Sequence, residues 1–197
     1  MIPALAPLPY ATEACNDSGC DDLGGASGGM GHDTRARRAL RDALGQFATG
    51  VTVVTAADAQ GRPVGVTINA FTSVSLAPPL LLWCLARESG SLPALRAAPC
   101  HAINVLGGGQ LALCRRFAGR DIDRFAGIDC RPGPCGTVLL AGALATFICR
   151  HRSVRALGDH VVFVAEVVAY DTVPGAPLVF HGGGFGDGVV SIDAGAA

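Results

Sequence analysis

The chain has 197 residues, with 15 Arg and no Lys against 16 acids, a formal net charge of −1, and half of its residues apolar. That balance excludes the basic surface on which nucleic-acid binding rests, and the apolar content excludes disorder of the whole chain. The longest apolar run, Leu76 to Ala86, is interrupted by Pro78 and Pro79 and is about half the ~20 residues a membrane span needs.

The opening residues, MIPALAPLPY, lack a positive leader, so a cytoplasmic protein with no membrane partner is expected. The 8 Cys include no CxxC, and Cys84, Cys100, Cys114 and Cys149 sit in apolar segments where a free thiol acts as a small hydrophobe. Reduced thiols are expected. A zinc site from Cys130, Cys135 and a histidine would stand at the loose edge of ligand spacing, so no metal is expected.

Residues 1–33 hold acids, no Arg and a Gly/Ser-rich run, and read as a disordered tail. From Asp33, a plausible N-cap, a helix is expected from Thr34, with Ala36, Leu40, Ala43, Leu44 and Phe47 as its apolar stripe and Gly50 as its end. Val51–Ala57 and Pro63–Ala70 read as a hairpin around the turn Asp58–Arg62. Leu80–Ala86, apolar on both sides, reads as a central strand. A short helix at Leu92–Ala98, a strand at Cys100–Leu106 and a helix at Gln110–Phe117 follow. The glycines 107–109 meet no dinucleotide-binding pattern. Arg131–Gly136 reads as a loop. Strands are expected near Ala141–Arg152, His160–Tyr170 and Leu178–His181. In the second, Val161, Phe163, Ala165, Val167 and Ala169 share an apolar face, with His160, Glu166 and Tyr170 opposite. Residues 34–188 are expected to form the domain and 189–197 a second tail. Many strands, few helices and hairpin-sized gaps indicate an antiparallel barrel or sandwich.

The run Gly65 to Ser75 is rich in hydroxyl and amide side chains. Such groups suit a planar polar heterocycle or a phosphate; they also suit an edge strand giving way to a loop. His160, at a strand mouth, is either a structural histidine or a donor to a ligand. His101 and His151, mid-strand, read as structural or surface residues. Ser89 and Ser91 precede the Leu92 helix and can hold a phosphate or cap the helix.

Leu44 to Thr55, Pro63 to Ser75, Pro78-Pro79-Leu80 and Asn104-Val105-Leu106 resemble the flavin reductase-like family, whose members supply reduced flavin to two-component monooxygenases. The likeness continues, in family order, through Arg116-Phe117-Ala118-Gly119, Asp123-Arg124-Phe125-Ala126-Gly127 and Gly158-Asp159-His160. It implies a mainly β fold, the Greek-key FMN-binding split barrel. It also implies a homodimer, FMN or FAD as cofactor, NADH or NADPH as hydride donor, and a monooxygenase partner reached by diffusing flavin. By that similarity Asn69, Ala70 and a turn from Phe71 to Ser73 approach the flavin ring. Thr67 and Ile68 lead into that stretch, Cys84 and Leu85 line the ribityl path, Ser89 and Ser91 reach the phosphate, and Phe117 closes the far side. The Pro63–Thr67 strand with Gly65, His160 as the catalytic residue, and the Phe180–Phe185 segment with His181 meet the nicotinamide.

The chain departs from the family at two places. Glu88 stands where a small polar residue is common and Gly90 where a basic one is. In Val179 to Phe185, Gly182 replaces an Arg and Phe185 a Tyr. The resemblance implies a flavin reductase; the altered glycine segment also admits a flavoprotein that keeps its flavin and acts on a small organic substrate, or a non-catalytic flavin-binding dimer.

Overall fold

A computed structural model describes residues 6–7, 34–120 and 123–187. The rest of the two expected tails lies outside the described residues. The first described element is the short strand β1 (Ala6–Pro7), followed by the helix α1 (Thr34–Leu44) and β2 (Thr49–Gly50). Next come the hairpin β3 (Thr52–Ala57) and β4 (Pro63–Ile68), then β5 (Phe71–Leu76), β6 (Pro79–Ala86), the helix α2 (Leu92–Ala97), β7 (Cys100–Val105) and the helix α3 (Leu111–Ala118). The second half is almost all strand: β8 (Cys130–Pro132), β9 (Val138–Leu140), β10 (Ala145–Leu157), β11 (His160–Thr172), β12 (Leu178–His181) and β13 (Gly184–Asp187).

The main sheet runs β4-β3-β7-β10-β11-β6-β5 and is antiparallel throughout, with β1 added to β11. Its two ends, β4 and β5, are consecutive in the chain and joined only by Asn69 and Ala70. Two residues span at most about 7 Å, so a sheet of this order must curl until its ends meet. The closure is a seam and not a ladder. At Asn69 and Ala70 the pairing of β4 with β3 stops and that of β5 with β6 begins, with Cys84 N–H donating to Ala70 C=O at 3.1 Å. This is the expected split barrel.

Alternation along the strands fills the barrel. Val54 and Ala56 of β3, Leu81, Trp83 and Leu85 of β6, and Val161, Phe163 and Ala165 of β11 share the interior. Trp83 and Phe163 stack at 3.9 Å between centroids. Val53 on the opposite face of β3, and Val51 just before the strand, join a second cluster with Leu106, Cys114, Phe117, Leu140 and Leu178. Asn104, fully buried on β7, ties the layers together: its Nδ2 donates to Val53 C=O at 3.0 Å and its Oδ1 accepts from Leu140 N–H at 3.1 Å.

Several expectations change. The stripe of α1 is not buried: no residue of the helix is, and Leu40, Leu44 and Phe47 are 48%, 67% and 78% exposed. Periodicity reports that a helix has an apolar face, not what covers it. The helix also stops at Leu44, before Gly50. β6 is second from the sheet edge, not central; only its alternate residues Leu81, Trp83 and Leu85 are buried. Phe71 to Ser73 is edge strand rather than turn, since β5 pairs with β6 through Leu81 to Trp83. Within Arg131–Gly136, Arg131 and Pro132 pair with Leu139 and Val138 in a two-stranded ribbon, an edge position where Pro is tolerated. Glu166 on the supposedly outer face of β11 is 3% exposed and paired with Arg152 at 2.9 Å.

A polar thread crosses the barrel core. Trp83 Nε1–H donates to His101 Nε2 at 3.0 Å, His101 stacks on His151 at 4.6 Å, and His151 Nε2 meets Leu95 C=O at 3.1 Å. Because Nε2 of His101 accepts a proton, that ring is held neutral with its hydrogen on Nδ1. Burial, and then the neighbouring His151, push the pKa of His101 down from 6.5 to about 3. Between these values the unfolded chain binds a proton that the folded chain refuses, so stability is fully present above about pH 6.5 and falls as the pH drops towards 3. The melting temperature is expected to fall on acidification from pH 7 to pH 4. A His101→Gln variant, which keeps an acceptor for Trp83, is expected to show a clearly shallower slope in the same scan; an unchanged slope contradicts the assignment.

Candidate active site at the barrel seam

Two recesses open at the seam. One, of about 510 Å3, lies along Val66–Ala70, Cys84–Ala86 and Glu88–Gly90, with Ala118, Arg120, Arg124 and His160. The other, of about 680 Å3, lies between the end of α1 (Arg41, Asp42, Leu44), the turn at Gly45 and Gln46, and Phe180, Gly182, Gly183 and Phe185. Thr67, Ile68, Asn69 and His160 border both. Both volumes lie in the range of small-molecule sites.

The seam explains the local chemistry. Where a strand leaves its ladder, its side chains and backbone are no longer occupied by neighbours. Asn69 is exposed, and its amide makes no hydrogen bond to the described residues. Thr67 is tethered instead: its hydroxyl donates to Cys114 C=O at 2.7 Å, fixing β4 against α3. Cys84 is half-buried and burial raises its pKa, so it lines the wall as a neutral thiol. His160, at the start of β11, has its Nδ1 2.7 Å from Asp159 Oδ1, and Asp159 lies 3.9 Å from Arg37 on α1. The hydrogen bond to His160 holds the Asp159 carboxyl below its usual range. That contact fixes the ring's orientation through Nδ1 and leaves Nε2 as its other polar edge.

At the far end of the smaller recess stands a rigid clasp. Asp123 Oδ1 accepts from the Phe125 and Ala126 amides at 3.0 and 3.2 Å, and Phe125 packs edge-on against Phe117 at 4.9 Å. The turn so formed presents Arg124, whose Nη1 donates to Gly65 C=O and to Ser91 Oγ, both at 2.7 Å, and whose Nε and Nη2 donate to Gly119 C=O at 3.0 and 2.6 Å. Arg116 closes the turn through the carbonyls of Asp123, Arg124 and Ala126, not through a carboxylate.

Of the residues expected at the site, Thr67, Ile68, Asn69, Ala70, Cys84, Leu85, Ser89 and His160 border the smaller recess, and Phe185 the larger. Six others do not line either recess. Phe117 is 0% exposed in the second core cluster, where a Cβ on Gly65 would stand 2.6 Å from its ring, so the two pack as core partners. Ser91 is 4% exposed and turned to Gly65 and Arg124. Pro63 is exposed at the far end of β4, and Ser73 and His181 are exposed on β5 and β12. Arg87 points to Gly158 C=O at 3.4 Å, outside the recess. The sequence reading missed Arg120 and Arg124, and Arg41 to Gln46 of the larger recess. Arg124 and the stretch Leu44 to Gln46 lie in motifs that carried the resemblance, while the apolar stripe of α1 showed a face without showing what meets it.

The residues fit a flavin. The recess has a polar, unladdered edge at Asn69–Ala70, an apolar flank at Ile68 and Leu85, and the arginines Arg120 and Arg124 in its lining, a cationic border suited to a phosphorylated ligand. Among the described residues no cluster able to hold a metal ion occurs, and no helix is long and apolar enough to cross a membrane.

Comparisons with known proteins agree with this geometry. The family model of the flavin reductase like domain matches residues 44–188. The chain is 46% identical over 148 residues to a probable flavin reductase of Rhizobium meliloti, covering 75% of this chain but only 48% of that protein, so it spans about half that relative's length. It is 44% identical over 149 residues to the FMN reductase (NADH) SmoA of Agrobacterium fabrum, covering 76% and 84% of the two chains. It is 41% identical over 147 residues to HsaB of Rhodococcus jostii, the reductase subunit of a flavin-dependent monooxygenase, covering 74% and 75%. The NADH:FAD oxidoreductase SgcE6 of Streptomyces globisporus, solved with NAD and FAD fragments, superposes with a TM-score of 0.75 at 38% identity over 83% of this chain and 98% of that one. A seam-split antiparallel barrel, two recesses sharing one wall, and a family match across nearly the whole described domain lead to one conclusion: the chain belongs to the flavin reductase-like family.

Proposed function

We propose that the protein is an NAD(P)H:flavin oxidoreductase that passes reduced FMN or FAD to a separate monooxygenase. The observation that carries this reading is the common wall: Thr67, Ile68, Asn69 and His160 border both recesses, so two heterocycles can meet across one seam. When bound, the flavin supplies the hydride-accepting centre, so the protein needs no acid–base pair of its own. The chain's work is to hold, orient and dry the two ligands. The exposed Asn69 amide and the backbone around Ala70 offer hydrogen bonds to the polar edge of the ring. Ile68 and Leu85 exclude water from its flank. His160, oriented by Asp159, offers Nε2 to the amide or a phosphate of the nicotinamide cofactor. The segment Phe180 to Phe185, with its rings 5.1 Å apart and its turn glycines at positive φ, covers the larger recess.

The unit that does this is residues 34–188, and it works as a homodimer. Leu44, Phe47 and Leu76 are 67%, 78% and 87% exposed, a degree of apolar exposure that marks an interaction surface. Because α1 also walls the larger recess, pairing through its apolar face would order that wall. Phe47→Glu is expected to shift the protein from dimer to monomer by sedimentation velocity and to weaken turnover; an unchanged sedimentation coefficient contradicts the assignment.

The direct test is NADH or NADPH oxidation followed at 340 nm with FMN or FAD present. Flavin-dependent loss of absorbance is expected, and a rate equal to the flavin-free control would remove the proposal. His160→Ala is expected to raise the KM for NAD(P)H on the order of 10-fold and that for flavin far less, consistent with loss of one buried or charge-assisted hydrogen bond. The reverse ranking would mean that His160 serves the flavin.

A further inference from the structure

We infer that Arg120 is the residue that recognises the phosphate of the flavin, and that Arg124 is a strut that shapes the recess without offering its charge. This rests on the flavin reading above and adds to it the group that discriminates phosphorylated flavins from riboflavin.

The end of the 510 Å3 recess away from the seam is bounded by Glu88, Ser89, Gly90, Arg120 and Arg124. Of the hydroxyls, Ser91 is taken by Gly65 C=O and Arg124, whereas Ser89 Oγ accepts from the Ser91 amide at 3.4 Å and keeps its own O–H to donate beside the cation. Arg87 is directed to Gly158. Arg124 has its Nε, both donors of Nη1 and one of Nη2 committed to Gly65, Ser91 and Gly119, all between 2.6 and 3.0 Å. A guanidinium has five N–H donors, so four of those of Arg124 are spent on the protein. What they join is informative: β4, the segment before α2 and the end of α3 are the three walls of this end of the recess.

Arg120 is different. It follows Gly119 at the end of α3, borders the same recess, is exposed, and makes no hydrogen bond or ion pair with the described residues. Its donors remain available for the two-pronged contact that a phosphate invites. Glu88, exposed and bordering the same recess, works against it, since a carboxylate near the same anion raises the cost of binding it. The anion preference of the recess is therefore set by two rim side chains of opposite sign, on elements far apart in the chain. Neither lies in the core, so both can be replaced without loss of the fold.

The test is equilibrium binding of riboflavin, FMN and FAD to the full-length protein, followed by quenching of flavin fluorescence, with no nicotinamide present. Wild type is expected to bind FMN and FAD at least about 10-fold more tightly than riboflavin, a preference of the size charge-assisted contacts give. Arg120→Ala is expected to remove most of that preference while leaving riboflavin affinity within about 2-fold, and Arg120→Lys to keep part of it. Glu88→Gln is expected to tighten FMN and leave riboflavin unmoved. Raising the salt concentration should weaken FMN binding to wild type more than to Arg120→Ala. Equal affinity of wild type for riboflavin and FMN overturns the inference alone, as does a loss on Arg120→Ala shared equally by both ligands. Failure of all three flavins to bind wild type overturns the flavin reading together with it.

Discussion

The structure turns on a two-residue link. Asn69 and Ala70 connect the two strands that lie at opposite ends of the sheet order, and so short a connection leaves the sheet no choice but to curl. Closing by a link instead of a ladder leaves a gap in the hydrogen-bonded wall. A gap of that kind is an uncovered strand edge, which a protein must protect or use. Here it becomes the shared wall of two recesses, so the constraint that makes the barrel also makes the site.

The rest of the fold keeps that seam rigid. Trp83 and Phe163 fill the barrel behind it, and in the Trp83–His101–His151 thread the hydrogen bond from Trp83 requires a neutral His101, which stacks on His151. Thr67 is tied to α3, and the turn carrying Arg124 ties α3 to β4 and to the segment before α2. Each tie joins residues at least 33 positions apart in sequence, the shortest being Arg124 to Ser91. The recess is therefore shaped by long-range contacts, and a ligand meets walls that are already positioned. Asn69 and Arg120, whose side chains make no hydrogen bond or ion pair with the described residues, both border it.

The charge pattern divides into the same two roles. Arg116 and Arg124 spend their donors on carbonyls and build the recess; Glu88 and Arg120 stand on its rim. Counting charges around a cleft would treat the three arginines alike. Among the described residues the hydrogen-bond partners separate Arg116 and Arg124 from Arg120, and donors committed to carbonyls cannot be redirected without leaving those carbonyls unpaired.

Much of this protein was legible from its residues. Alternation in β10 and β11, the turn chemistry of Asp58 and the order of motifs from Leu44 to His160 are local or sequential signals, and they gave the strands, the family and most of the seam residues. The sequence could not say which face of a strand or helix meets another, because burial is a property of pairs of elements. For that reason Phe117, Ser91 and Gly65, plausible as ligand contacts in sequence, were decided by the tertiary structure as packing and tethering residues. For the same reason the stripe of α1 was readable as apolar but not as uncovered, and Arg120 and Arg124, four residues apart, acquired opposite roles only when Gly65 of β4 and Ser91, just before α2, came within reach of Arg124.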